Sequence, residues 1–145
     1  MTINNSLDLV KGQWRLLTCI TEKQASTDKY LSLGESPKGR LIITENAYLL
    51  VLITTSQRAI VSSDLDKVSA YDTMVSYSGH CELAGNKLTT KVDMSWNEKW
   101  VGGTEVRFFE FVGDTLVLTT AWEANPFEAG ANVQVRSVLT WEREA

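Results

Sequence analysis

The chain has 145 residues, of which 14 are Lys or Arg and 18 are Asp or Glu, and 43% are apolar. This length favours a single domain with a hydrophobic core of its own. A formal net charge of −4 argues against a nucleic-acid partner, because binding phosphates requires a basic surface. No apolar run approaches the ~20 residues that a membrane helix needs.

The first ten residues lack the basic and apolar segments of a secretory signal, so we expect a cytoplasmic protein without a membrane partner. In that compartment Cys19 and Cys81 are expected to be reduced thiols. Nothing next to either cysteine in the sequence would lower its pKa, so both are expected to be small buried apolar residues.

The first half of the chain predicts strands. Residues 40–44 and 47–54 form two apolar runs that are typical of a hairpin, and residues 34–39 before them read as a turn. Residues 12–21 alternate in hydrophobicity, which predicts a first strand with one face made of these side chains: Trp14, Leu16, Thr18 and Ile20.

Residues 63–75 interrupt the β pattern and predict one amphipathic helix. Ser63 and Asp66 fit a capping box at its start. Its apolar side chains recur at every third position: Leu65, Val68, Tyr71 and Met74.

The second half returns to a period of two. Short turns at Gly85-Asn86 and Gly113-Asp114 separate hairpin strands. A sheet of hairpins covers its edges best by closing. We therefore predict an all-β fold, an antiparallel barrel of eight to ten strands with one short α-helix, formed by a single domain over residues 1–145. The strands predicted in this half cover residues 77–83, 87–96, 104–112, 115–122 and 133–143.

Several motifs resemble known barrels. Gly12-x-Trp14 in the first strand and Arg143 in the last resemble the calycin pattern, in which the tryptophan packs beneath the arginine and closes the barrel base. Five further segments occur in order and are similar to the small lipocalin-like domain family of stand-alone bacterial and fungal proteins: YSG at 77–79, SWNEKWVG at 95–102, TEVR at 104–107, GDTLVL at 113–118 and LTWER at 139–143.

The resemblance implies a lipocalin-like barrel, whose interior is either filled by side chains or holds one small ligand. Many relatives carry a histidine in the strand before the Trp-rich turn, where this chain has Thr90-Lys91. A mechanism that uses that imidazole therefore does not carry over. Some relatives lie in natural-product pathways.

Common catalytic and cofactor motifs are missing from the sequence. His80 is the single histidine, and strand alternation predicts that it faces solvent, which leaves no partner for a Ser–His or Cys–His system. One histidine and two dispersed cysteines do not form a zinc or iron motif. There is no GxGxxG fingerprint for a dinucleotide, so no cofactor is expected.

Glu105 and Arg107 are the candidate catalytic residues. They share a strand face with Phe109 and Phe111, and if that face points inward the barrel holds a charged pair beside apolar walls. Arg107 would then bind an enolate, carboxylate or carbonyl oxygen, and Glu105 would act as a general base. A structural ion pair, or a register in which both residues face water, is the open alternative.

Aromatic side chains supply the candidate ligand-binding wall. Trp and Tyr combine a large apolar surface with a polar atom, which suits a cavity, although plain core packing is the alternative. Trp14 and Trp141 are assigned to the barrel base. The predicted ligand-binding residues are Tyr48, Tyr77, Trp96, Trp100, Phe109 and Trp122.

These observations predict a barrel that binds a hydrophobic small molecule. One hypothesis is a cofactor-free isomerase or cyclase that acts on a polyketide- or terpenoid-like intermediate. The alternative is a non-catalytic carrier of a hydrophobic small molecule. A third interpretation is a filled barrel that acts through its surface. The sequence makes no prediction of the oligomeric state.

Overall fold

The computed structural model describes residues 5–124 and 134–144. Neither α-helix in this described part of the chain is long and apolar enough to cross a membrane. A single 3-10 turn at Glu98–Trp100 joins two strands. The elements in chain order are α1 (Asn5–Val10), β1 (Gly12–Lys23), β2 (Lys29–Tyr30), β3 (Lys38–Ile43), β4 (Tyr48–Thr54), α2 (Asp64–Asp72), β5 (Met74–Ala84), β6 (Lys87–Ser95), β7 (Thr104–Val112), β8 (Thr115–Thr120), β9 (Glu123–Ala124) and β10 (Gln134–Arg143).

Eight strands form a closed antiparallel barrel in the order β1-β3-β4-β5-β6-β7-β8-β10. The barrel closes because β10 also pairs with β1, along a ladder that runs from Trp14 opposite Arg143 to Lys23 opposite Val135. The two-residue strands β2 and β9 extend this region by pairing with β1 and β10. The predicted barrel of eight to ten strands is confirmed.

Inward side chains of the strands build one core. In β3 and β4, alternate residues are buried, so Leu41, Ile43 and Leu49 point inward. The turn between β5 and β6 uses Gly85 at a φ of 60°, and that between β7 and β8 uses Gly113 at 59°, a backbone region that favours glycine. Tight turns of this kind hold neighbouring strands in register and keep the core continuous.

The base of the barrel is closed by Trp14 and Arg143, as predicted. The Arg143 guanidinium lies 4.1 Å from the centre of the buried Trp14 ring. Its Nη1 and Nη2 donate to the carbonyl oxygens of Lys11 and Leu9 at 2.7 and 2.8 Å. Gly12 has a φ of +121°, and a Cβ there would lie 2.6 Å from Arg143 Nη1. Only glycine therefore allows the arginine to approach this closely.

Helix α1 was not predicted from the sequence. It spans six residues, too few for a periodic pattern to stand out. Its stability comes from tertiary contacts, since Val10 is buried and its carbonyl oxygen accepts a hydrogen bond from Trp14 Nε1 at 2.8 Å. The expected main helix is confirmed as α2, and α1 is an additional short helix before the first strand.

The predicted face of β1 is only half right. Trp14 and Leu16 are buried, but beyond them Cys19 and Thr21 are buried while Ile20 is exposed. The pairing with β10 shifts its register between Leu16 and Thr18. Such a bulge adds a residue to one strand and so reverses which side chains face inward.

Helix α2 is shorter than predicted. Its N-cap is Ser63, whose side chain accepts from the backbone N–H of Asp66 at 3.2 Å, as expected. It ends at Asp72, because the chain from Met74 onward pairs with β4 as part of β5. None of its residues is buried, and Leu65 is 81% exposed, so α2 contacts the barrel only at its C-terminal end, where the Tyr71 and Trp96 ring centres are 5.9 Å apart.

We predict that Trp14→Ala lowers the free energy of unfolding by about 3–5 kcal/mol, because it opens a large cavity and removes the ring beneath Arg143. Urea denaturation measures this change. Phe108→Ala is the control, since Phe108 is 38% exposed and should cost far less. Equal unfolding midpoints for Trp14→Ala and the wild type would contradict the assignment.

Candidate functional site

A cavity of about 250 Å³ lies inside the barrel. Its size is near the low end of small-molecule sites, which measure roughly 300–1,000 Å³. Its walls are mostly apolar, and polar side chains are concentrated on a few strands. The apolar aliphatic wall consists of Leu33, Leu41, Leu49, Val51, Ile53, Val75, Leu88, Leu118, Val135 and Leu139.

Aromatic side chains form one end of the cavity. Trp96 precedes the 3-10 turn and Trp100 is its last residue, with ring centres 4.9 Å apart. The ring centre of Tyr77 lies 5.7 Å from that of Trp100. Trp96 Nε1 donates to the carbonyl oxygen of Tyr71 at 3.1 Å, so this cluster also contacts the C-terminal end of α2. The predicted cavity positions of Tyr77, Trp96 and Trp100 are found as expected.

Arg107 brings a positive charge to the cavity wall. It lies on β7, and its side chain is 15% exposed. Its Nη2 lies 3.2 Å from Oε1 of Glu105, whose side chain is 19% exposed, and its Nη1 donates to the carbonyl oxygen of Val106 at 2.9 Å. Arg107 lines the cavity and Glu105 does not, and Glu105, two residues away on the same face of β7, balances the charge of the guanidinium.

Neighbouring groups shift the pKa values of Arg107 and Tyr77. Burial lowers the pKa of Arg107, but Tyr77, Glu105 and Glu123 raise it above its ordinary value, so the guanidinium stays charged. Burial raises the pKa of the Tyr77 hydroxyl, and Arg107 partly opposes that change. Tyr77 is therefore a neutral hydrogen-bonding group at physiological pH.

Glu123 is a cavity residue that the sequence analysis missed. It lines the cavity, and its carboxyl interacts electrostatically with both Arg107 and Glu105. The residue as a whole is exposed, yet partial burial of the carboxyl raises its pKa, while Arg107 lowers it and Glu105 raises it further. No motif marks this position, because its role depends on strand pairing across the barrel.

A second polar group on the wall was also missed. The hydroxyl oxygen of Thr21 lies 2.6 Å from that of Ser32 and 2.9 Å from that of Ser137. The Cys19 sulfur lies 3.7 Å from the Ser32 oxygen, and Thr120 accepts from the Ser137 backbone N–H at 2.9 Å. All five residues line the cavity. Cys19 and Thr21 were missed because of the bulge in β1, since simple alternation places these two residues on the opposite face from Trp14 and Leu16.

Two predicted ligand-binding residues lie elsewhere. Tyr48 is on the outer wall, where its hydroxyl donates to the Asp93 carboxylate, because the inward residues of β4 are Leu49, Val51 and Ile53. Trp122 does not line the cavity and follows the end of β8. The guanidinium of Arg136 lies 4.6 Å from its ring centre.

Three further positions differ from their assignment. Phe109 is buried, but it belongs to the core and not to the cavity wall. Phe111, expected on the same inward face, is 37% exposed, and its ring centre lies 6.3 Å from that of Trp14. Trp141 was assigned to the base alone, yet it also lines the cavity.

His80 and the cysteines match their interpretations. His80 is exposed, as the alternation predicts. Burial raises the pKa of Cys81 to about 11 and also raises the pKa of Cys19, so both are protonated thiols. Within residues 5–124 and 134–144, no three His, Cys, Asp or Glu side chains are grouped to hold a metal ion.

Comparison with known proteins agrees with this geometry. The family model of a lipocalin-like domain matches residues 11–144, which is nearly the whole chain. Among curated proteins, none matches this sequence. A barrel of this type suits a small hydrophobic ligand.

We predict that Glu105→Gln lowers the free energy of unfolding by about 3 kcal/mol, because it leaves the buried Arg107 without its nearest charge. The double variant Glu105→Gln/Arg107→Met should recover part of that loss, since no unpaired charge is then buried. Urea denaturation of both variants measures the difference. Equal or greater destabilisation in the double variant would argue against a compensating pair.

Proposed function

Because this chain belongs to the lipocalin-like domain family, we propose that its barrel binds a small hydrophobic molecule whose negatively charged or polarised oxygen contacts Arg107. The observation that carries the proposal is the position of the guanidinium. It lines the cavity among leucine, valine and aromatic side chains, while its partner Glu105 does not line the cavity. A charge is costly there, and binding an anionic oxygen gives it a second partner.

We propose further that the bound molecule is isomerised or cyclised without a cofactor. Arg107 would stabilise an enolate or similar oxygen anion, and the aromatic end of the cavity would fold an apolar polyketide- or terpenoid-like chain. Glu123 would move the proton, since it lines the cavity and partial burial raises the pKa of its carboxyl above the ordinary value. Glu105, which is paired with Arg107 and does not line the cavity, would position the guanidinium. We propose that this reaction belongs to a natural-product pathway in the cytoplasm.

A non-catalytic carrier is the second candidate. The observation that favours it is the ion pair, because a paired guanidinium is less able to activate a carbonyl than a free one. Exchange of α-hydrogens for deuterium in an alkyl-substituted cyclohexanone distinguishes the two. Exchange that Glu123→Gln abolishes while binding persists supports the enzyme, and binding without exchange supports the carrier.

We predict that Arg107→Met weakens binding of octanesulfonate by about 2–5 kcal/mol, because the sulfonate loses its charged donor. Arg107→Lys keeps the charge but loses the planar fork, so its affinity should lie between those of the wild type and Arg107→Met. Isothermal titration calorimetry measures each affinity. Arg40→Met is the matched control, since Arg40 is exposed and pairs with Glu144 outside the cavity. An unchanged affinity in Arg107→Met would refute the proposed contact.

The affinity for octanesulfonate should also depend on pH. The pKa of Glu123 is raised, so its neutral form persists above the ordinary glutamate range. As the pH rises through that raised pKa, the carboxylate forms and competes with the sulfonate for Arg107. Affinity should therefore fall with rising pH, and the sulfonate itself stays ionised throughout. Glu123→Gln should flatten the profile, and a profile that keeps its slope in this variant would exclude Glu123 as the cause.

A further inference from the structure

Five polar side chains of the cavity lie next to one another on four neighbouring strands and on the loop after β2. Arg107 on β7 lies opposite Thr120 on β8 in the strand ladder, and Thr120 accepts from the backbone N–H of Ser137 on β10. Ser137 is the register partner of Thr21 on β1, which is hydrogen-bonded to Ser32 in the loop. We call these five residues the polar arc. It gives one side of the cavity a row of hydrogen-bonding groups.

One hydroxyl of the polar arc keeps hydrogen-bonding capacity that the other residues of the polar arc do not use. Thr120 donates its hydroxyl hydrogen to the carbonyl oxygen of Ala121. The hydroxyls of Ser32, Thr21 and Ser137 share only two contacts with one another, although they carry three hydrogens. One hydroxyl hydrogen, at the Ser32 end or the Ser137 end of this row of three hydroxyls, therefore has its partner outside the row.

The donor direction along this row of hydrogen bonds decides whether the Ser137 hydroxyl can donate or accept a further hydrogen bond. If Cys19 donates to Ser32 and each hydroxyl donates onward, the Ser137 hydroxyl keeps a hydrogen to give. If the chain runs the other way, Ser137 donates to Thr21 and its oxygen accepts. Either direction is compatible with the observed distances, so Ser137 can meet a hydroxyl or a carbonyl on a ligand.

We propose that the ligand carries a second oxygen, as a hydroxyl or carbonyl group, which binds at Ser137 and Thr21 while its acidic oxygen contacts Arg107. The Arg107 end of this inference rests on the proposed function. Ser137 and Arg107 are two strand spacings apart along the wall, about 10 Å. The ligand class is therefore a compact hydroxy or oxo acid with an apolar middle.

A purely apolar tail is disfavoured at this position. It would cover the Ser137 hydroxyl and the buried Thr21 without replacing the water that they would otherwise bind. Sites built to bind a ligand hydroxyl reject the analogue that lacks it, because the protein group is left without a partner. The polar arc thus favours a ligand with two oxygens over one with a single polar end.

Calorimetric titration with two probes, octanoate and ω-hydroxyoctanoate, tests the inference. The two differ by one hydroxyl, and ω-hydroxyoctanoate spans about the required length. We expect the wild type to bind ω-hydroxyoctanoate about fivefold more tightly than octanoate. Thr21→Val and Ser137→Ala should each remove this preference with little change for octanoate. Thr119→Val is the matched control, since Thr119 lies beside Thr120 on β8 but does not line the cavity.

The outcomes separate the second oxygen site from the contact with Arg107. A wild type with no preference between the probes, or a preference that survives in both Thr21→Val and Ser137→Ala, overturns the second oxygen site. Because the ratio of two affinities is measured within one variant, a partly destabilised protein still gives an answer. Arg107→Met should weaken both probes while the preference remains. If it weakens neither and the preference remains, the proposed role of Arg107 fails and the second oxygen site stands.

Discussion

The antiparallel ladder between β1 and β10 closes the barrel and positions both its base and one wall of its cavity. At one end it brings Arg143 over Trp14, and there the arginine also binds the carbonyl oxygens of Leu9 and Lys11. At the other end it places Thr21 beside Ser137. The bulge between these ends rotates the strand, so one pairing supplies an apolar base and a polar cavity wall.

The second constraint is the charge of Arg107 in an apolar wall. Burial opposes the charged form, and the nearby Tyr77, Glu105 and Glu123 restore it. Oε1 of Glu105 lies 3.2 Å from Nη2 of Arg107, and Arg107 lines the cavity while Glu105 does not, so a ligand in the cavity can contact the guanidinium while this pair persists. Fold stability and ligand binding therefore draw on the same side chain, and a substitution of Arg107 affects both.

The sequence predicts the fold well because the barrel depends on local signals. Alternation gives the strands, glycine turns such as Gly113-Asp114 give the hairpins, and Trp14 with Arg143 identifies the closing strands. The site was predicted only in part. Arg107, Tyr77, Trp96 and Trp100 reach the cavity, but Tyr48 and Trp122 do not. Alternation does not reveal a bulge, and it does not show which strands carry Glu123 and Ser137 to the same cavity.

A crystal structure of the octanesulfonate complex would show whether Arg107 binds the anionic end of a ligand. We expect the alkyl chain among the leucine and aromatic side chains of the cavity, with a sulfonate oxygen about 3 Å from a terminal nitrogen of Arg107. We also expect the contact between Arg107 and Glu105 to persist in the complex. A sulfonate in solvent at the aromatic end, or one bound to Arg136 beside Trp122 on the outside, would contradict the proposed contact.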